Sequence, residues 1–259
     1  MSIMTEKEIK YGFTYCHSDE PKIKSIIEVC DYKGESSIEI YCTQLGDSLT
    51  PKYKTQKDKK RVLNEWCAFL TTNTTLFTEL YFNTRMPQEL FNAVCMQKNL
   101  KKLIIKWGVY PDISLISNLG NLEYLGLGSG AGVQTIDSLS QLSNLLALCI
   151  ENFQKISDYH SLAKLNKLES LSIIGNGLSP QYIHVDSLRF LEKMEQLRFF
   201  RFMTARLKDK NFKPVLALKN LEHLTLSPSK EVKCLYDELV KLPKLKYGLL
   251  KERAEMYLD

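Results

Sequence analysis

NLEYLGLGSGAG, residues 121–132, sets four glycines (Gly126, Gly128, Gly130 and Gly132) behind what reads as a short strand. A glycine-rich turn after a strand is how Rossmann-type units bring backbone amides to a phosphate, or to the amino-acid end of S-adenosylmethionine. The same stretch also carries Leu122, Leu125 and Leu127. Whether that leucine spacing recurs decides how the glycines are read.

It recurs along most of the chain. Aligned on LxxLxL, the series runs FTELYF (77–82), LKKLII (100–105), LEYLGL (122–127), LLALCI (145–150), LESLSI (168–173), LRFFRF (197–202), LEHLTL (221–226) and LKYGLL (245–250). Successive starts are 23, 22, 23, 23, 29, 24 and 24 residues apart. Positions 1, 4 and 6 of the units make 24 sites, and 23 of them hold Leu, Ile or Phe, the exception being Gly248. A second apolar stripe precedes the last six units by three residues (Leu119, Leu142, Leu165, Met194, Leu218, Leu242). A third precedes the same six by six residues (Ile116, Leu139, Leu162, Leu191, Val215, Leu239). Apolar residues stepping by three suit a tight helical turn lying on a core.

One such unit cannot bury its apolar edge alone, so units must stack into a solenoid with a parallel sheet along one face. Positions 1, 4 and 6 then point inward, and positions 3, 5 and 7 point outward from the strand. The pattern resembles the leucine-rich repeat family, in its short, 22-residue, internalin-like class. That resemblance covers about residues 77–250 and implies an α/β fold: a curved parallel sheet with helical turns on the outer face. One departure stands out. The family's asparagine at position 9 is present only as Asn176, so the loops must find other hydrogen-bond partners and the solenoid is expected to be irregular.

Residues 1–75 lack the repeat and read as an N-terminal α+β cap, with the solenoid of about eight units, including its C-terminal cap, over 76–259. EIKYGFTYC (8–16) alternates Ile9, Tyr11, Phe13 and Tyr15, which predicts a strand. KIKSIIEVCDY and SSIEIYC flank KGE and predict a hairpin. TQKDKKRVLNEWCAFL (55–70) gathers Val62, Leu63, Trp66, Phe69 and Leu70 on one helical face. MPQELFNAVC (86–95) is similar over a few residues to the start of an F-box helix. It equally suits the return helix of the first repeat, with Pro87 at its start.

Composition narrows the function. The net charge is +5, and the basic runs at 52–61, 206–213 and 241–253 are each interrupted by acidic or apolar residues, unlike a continuous nucleic-acid footprint. The opening MSIMTEKEIK lacks the apolar core of a secretory signal, and the longest apolar runs fall far short of the ~20 residues a membrane helix needs. Seven cysteines (16, 30, 42, 67, 95, 149, 234) form no CxxC pair, as free thiols in a cytoplasmic protein would. The four histidines (His17, His160, His184, His223) have no HxxxH or HExxH spacing, and no GxSxG or P-loop motif occurs. No catalytic residue, cofactor or metal site is therefore expected. The enzymatic alternative is a methyltransferase using the 126–132 loop, with Glu151 at the end of the next strand as its acidic residue.

The resemblance implies protein binding on the concave strand face. The outward positions there are small in the middle (Gly126, Gly128, Ala147, Cys149, Ser170, Ser172) and large at the flanks. Lys102, Ile104, Lys106, Trp107 and Tyr124 stand on one side, and Phe199, Arg201 and Met203 on the other. Exposed aromatic, Arg and Met side chains are the types enriched at binding hot spots. This predicts a shallow trough for a protruding element of a partner, unless the N-terminal segment covers it. Glu151 borders the trough, and the 29-residue unit adds Tyr182 and His184 in an enlarged loop as a second contact. The reading is a bacterial, cytoplasmic, non-catalytic binder of another protein, acting as an inhibitor, adaptor or immunity protein against a toxin or effector. Small molecules, membranes and nucleic acid are not the expected partners, a weak basic nucleic-acid binder being the remaining alternative.

Overall fold

A computed structural model describes residues 4–15, 22–46, 50–177, 179 and 181–258. The main-chain elements are, in order, α1 (Glu6–Tyr11), β1 (Ser25–Ile26), β2 (Ser37–Ile40), α2 (Gln56–Thr72), β3 (Glu79–Met86), α3 (Gln88–Val94), β4 (Lys102–Gly108), β5 (Tyr124–Leu127), β6 (Ala147–Glu151) and β7 (Ser170–Ile174). There follow β8 (Ile183–Val185), β9 (Phe199–Met203), β10 (Ala205–Leu207), β11 (His223–Leu226), α4 (Lys230–Cys234), α5 (Tyr236–Leu239) and α6 (Leu249–Glu252). Nine strands form one parallel sheet in the order β1-β2-β3-β4-β5-β6-β7-β9-β11, and β8 pairs with β10 in a small parallel sheet of its own.

The leucine phase sets the register. Position 3 of each unit lies beside position 3 of the next, from Glu79 through Lys102, Tyr124, Ala147, Ser170 and Phe199 to His223. Positions 1, 4 and 6 of the first seven units are at most 1% exposed, so every inward prediction there holds. The stripes stepping by three form 3₁₀ turns at Ser114–Asn118, Asp137–Gln141, His160–Lys164, Arg189–Lys193 and Lys213–Ala217. The exception Gly248 ends the sheet. Its φ is +96°, a Cβ there would sit 2.2 Å from the Leu224 carbonyl oxygen, and the chain turns into α6 after a single bridge from Tyr247 to His223.

Successive loops bond to one another through the backbone, with or without the position-9 asparagine. Gly130 N–H donates to Glu151 O at 3.0 Å, Asn152 N–H to Ile174 O at 2.8 Å, and Gly175 N–H to Met203 O at 2.9 Å. A different asparagine ladder runs just before position 1. The side-chain amides of Asn99, Asn121, Asn144 and Asn220 each donate to a carbonyl of the preceding unit, at 2.8–2.9 Å. The expected irregularity is therefore confined. It appears as a register shift between Phe82 and Arg85 and as the β8 insertion.

Two N-terminal expectations are corrected. SSIEIYC does not return as a hairpin: β1 and β2 are parallel, joined by a 3₁₀ turn at Val29–Asp31, and β2 pairs with β3, so both strands prolong the solenoid sheet. Of the segment predicted as a strand over 8–16, residues 8–11 instead belong to the helix α1, ended at Gly12, and Cys16 lies outside the described residues. The helix expected over 55–70 is α2. It buries Val62, Trp66 and Leu70, and the Trp66 indole N–H donates to Ile27 O at 2.7 Å. MPQELFNAVC holds α3, the return element of the first repeat.

Candidate protein-binding surface

The strand face is not bare. A capping box starts α1: Thr5 Oγ1 accepts from Glu8 N–H at 3.2 Å, and the Glu8 carboxylate accepts from Thr5 N–H at 2.9 Å. Gly12, at φ +89°, stops the helix and donates its N–H to Glu8 O at 2.8 Å. One side of this segment carries Met4, Ile9 and Phe13. All three are buried in a cluster with Ala147 and Phe199, against which Ile104, Tyr124, Cys149 and Tyr247 also pack.

Polar contacts fix the start of the segment, and apolar contacts its end. Arg198 donates to the Met4 carbonyl at 3.2 Å while pairing with Glu169 at 2.9 Å and Glu222 at 2.7 Å. Burial works against the Glu222 charge, but Arg198 and Lys246 outweigh it and hold that carboxyl below its ordinary value. The Tyr247 hydroxyl donates to Glu6 at 2.6 Å. At the other end the Phe13 and Tyr124 rings lie 5.8 Å apart. A Cβ built on Gly126 would stand 3.5 Å from the Thr14 methyl group, so Thr14 lies over the open floor that Gly126 leaves.

The predicted contact residues thus divide in two. Gly126 and Phe199 are buried beneath α1 and the turn after it, with Ile104, Tyr124 and Arg201 half-buried beside them. The expectation of an exposed Phe199 is corrected: it is 0% exposed, because Met4, Ile9 and Phe13 cover it. Lys102 sits between the Tyr81 and Tyr124 rings, 5.7 and 5.6 Å from their centroids.

The row at the C-terminal ends of the strands stays open. Lys106 is exposed with its ammonium 5.7 Å from the Trp107 ring centroid, Val109 is 55% exposed, and Met203 is half-buried. Tyr182 is 44% exposed, with the Arg206 guanidinium 4.9 Å from its ring, and His184 is exposed on β8. The insertion thus places its contact residues on the small sheet, which starts two residues beyond Met203. Leu178, Pro180, Cys16 and His17 lie outside the described residues. Glu151 is half-buried in this row. Burial pushes its carboxyl up, opposed by the Gly177 backbone and Lys106.

Gly128 has a different place from the one expected. A Cβ there would lie 2.3 Å from the Lys106 carbonyl oxygen, so its missing side chain admits the neighbouring strand's backbone and not a partner. A Cβ at Gly130 would lie 2.1 Å from the Phe153 ring. Repeat packing thus fills the side-chain space at Gly128 and Gly130, while Gly126 and Gly132 meet no atom closer than 3.1 Å. Among the described residues, no group of three or more His, Cys, Asp or Glu is placed to hold a metal ion, and Cys30, Cys42, Cys67, Cys95, Cys149 and Cys234 are free thiols. Likewise, no helix of the described residues is long and apolar enough to cross a membrane.

One strand and one tight turn per unit, held in a single register, decide the fold. It is a leucine-rich-repeat solenoid. No family model and no curated protein matches the chain. Among solved structures it is similar to an internalin from Listeria monocytogenes, at 22% identity over 73% of this chain and 53% of that one, with a TM-score of 0.49. It is also similar to a second internalin from the same organism (20% identity, 70% of this chain and 82% of that one, TM-score 0.47). A third is the leucine-rich-repeat ectodomain of a plant membrane receptor kinase from Arabidopsis thaliana, solved in complex with Casparian strip integrity factor 2 (15% identity, 67% of this chain and 21% of that one, TM-score 0.45). The chain spans about half the length of the first internalin.

Sequence reasoning missed the residues that cover the face: Met4, Ile9 and Phe13, with Arg198 anchoring them. The available signal was the capping box in Thr5-Glu-Lys-Glu8.

Proposed function

We propose that the chain is a non-catalytic module that captures another protein along the open row of its strand face. The observation that supports this best is the line of Trp107, Val109, Met203 and Tyr182 at one edge. Val109 and Tyr182 are exposed and Trp107 and Met203 half-buried, and Trp, Tyr and Met are among the types enriched at interfaces. Four strand steps separate β4 from β9, so Trp107 and Met203 stand roughly 19 Å apart along the sheet. That span suits an extended segment or a helix of a partner laid across the strand ends. Inhibitor, toxin-neutralising and adaptor roles all require this same capture step, and a cytoplasmic bacterial immunity protein is the specific role we favour.

The test is affinity capture followed by a measured Kd for the captured protein. Trp107→Ala with Met203→Ala removes two side chains from the surface with little loss of core, and should weaken the Kd about 30-fold or more at an unchanged melting temperature. An unchanged Kd would move the binding surface elsewhere.

A further inference from the structure

The open row carries a one-sided charge. Positions 7–10 of the first seven units, at and just past the strand ends, hold the cations Arg85, Lys106, Arg206 and Lys230 against the single carboxylate of Glu151. Arg85, Lys106 and Arg206 are exposed, and among the described residues none of the three is in an ion pair. Neighbouring cations do find carboxylates: Lys208 pairs with Asp186 at 2.7 Å, Lys101 with Glu123 at 3.2 Å and Lys246 with Glu222 at 3.2 Å.

The three unpaired cations are also held in place. The Lys106 ammonium lies 5.7 Å from the Trp107 ring centroid, and the Arg206 guanidinium 4.9 Å from that of Tyr182. Arg85 stands opposite Trp107 in the pairing of β3 with β4. Its N–H donates to Gln44 Oε1 at 2.9 Å, and its carbonyl accepts from Thr43 Oγ1 at 2.6 Å. A cation resting on a ring loses less conformational freedom when it takes an anion than one that waves in solvent.

Glu151 sits between the two cationic ends. It is half-buried, engaged with the Gly177 backbone and with Lys106, and it repels an anion brought to the centre of the row. Its ladder partner Ile174, and Met203 beside that, are half-buried and apolar. Nucleic acid carries a phosphate at every step and would set one against Glu151. A peptide can keep its carboxylates at the ends and an apolar side chain between them. Five strand steps separate β3 from β9, roughly 24 Å, the length of about seven extended residues.

We propose that the open row receives an extended acidic segment of the partner protein, with carboxylates at its two ends and an apolar residue between them. One end meets Arg85 and Lys106, the other meets Arg206, and the apolar residue lies over Ile174 and Met203. This names the partner chemistry of the protein-binding reading above and rests on it.

The test pans a phage-displayed library of random dodecapeptides on the full chain. Enriched sequences should carry Asp or Glu on both sides of an apolar residue, within about seven residues. A fluorescein-labelled synthetic copy of the most enriched peptide then gives a Kd by anisotropy. Trp66 is fully buried, so a change in tryptophan emission on binding reports Trp107. The Kd should weaken about tenfold for Arg85→Gln with Arg206→Gln at an unchanged melting temperature, and by a similar factor between ~0.05 and ~0.5 M NaCl. An oligothymidylate of the same length should bind more weakly than the peptide.

The proposal is overturned if panning enriches nothing, or enriches sequences without an acidic bias. It is equally overturned if the peptide binds Arg85→Gln with Arg206→Gln as tightly as wild type, or if the oligothymidylate binds more tightly than the peptide. Peptide binding lost in Trp107→Ala with Met203→Ala but kept in the Arg85 and Arg206 variant would leave the binding function standing and remove only this inference.

Discussion

Replacing Gly126 or Gly128 by alanine tests the repeat-packing reading of the 126–132 stretch, because the two sites meet different neighbours. At Gly128 the added methyl would lie 2.3 Å from Lys106 O and 2.9 Å from Ile105 O, both backbone atoms of the adjoining strand. Relief requires the two strands to part by about 1 Å, the difference between these distances and ordinary van der Waals contact. That opening disrupts two inter-strand bonds, Gly128 N–H to Ile105 O at 2.7 Å and Gly108 N–H to Gly128 O at 2.9 Å. Two hydrogen bonds at about 1 kcal/mol each, with an overpacking cost of roughly 1–3 kcal/mol, give about 4 kcal/mol for Gly128→Ala. At Gly126 the nearest atom is the flexible end of Ile104, 3.1 Å away, and Gly126→Ala should cost under about 1 kcal/mol. A chain of this size shifts its melting point by roughly 2–4 °C per kcal/mol, so thermal unfolding followed by circular dichroism should show Gly128→Ala lower by about 10 °C and Gly126→Ala by at most about 4 °C. Equal melting points for the two variants would refute the assignment of Gly128 to strand packing.

Three further outcomes follow from the same geometry. Burial, reinforced by the Arg201 charge, holds the His223 ring down to about 4 from its ordinary 6.5. Undocking relieves the burial part of that shift, so the docked state takes up fewer protons between these values, and this contribution to docking is fully present above pH ~6.5 and lost as pH falls toward 4. The contribution is at most about 3 kcal/mol, so amide protection over Glu6–Tyr11 should fall with acid across that window, and His223→Gln should flatten the profile. Asn144→Ala removes the bond to Gly120 O and the acceptor for Lys167 Nζ at 2.7 Å, and should cost about 1 kcal/mol in urea unfolding; no change would argue that the ladder is ornamental. Thr5→Ala removes the capping box of α1 and should cost about 1 kcal/mol of docking, seen as roughly fivefold faster exchange at residues 6–11 while the solenoid melts unchanged.

The solenoid was legible because its restraint is periodic: each strand repeats the same three inward positions, and the register copies that phase from unit to unit. The β2 strand escaped because its unit carries Glu35 where the others have an apolar position 1, so Ile38 and Ile40 alone did not complete the motif. Gly128 was misplaced because period-2 alternation says which way a residue points, but not that β5 ends at Leu127 and the next residue meets a neighbouring backbone. The sequence allowed that the N-terminal segment covers the face, but how it does so was illegible for a different reason. The alternation of Ile9, Tyr11, Phe13 and Tyr15 reads equally as a strand, and the contacts that settle the matter join Met4 to Arg198 and Glu6 to Tyr247, far apart in the chain. Local pattern cannot encode such pairings; only the stacked sheet brings Ala147 and Phe199 under one helix.

The most direct test of the account is the amide-exchange footprint of the captured partner on the full chain. Binding through the open row of the strand face predicts slower exchange across β4 and from β9 into β10, around Trp107 and Met203. A footprint confined to the 3₁₀ turns from Ser114–Asn118 to Lys213–Ala217, with the strand ends unchanged, would contradict it.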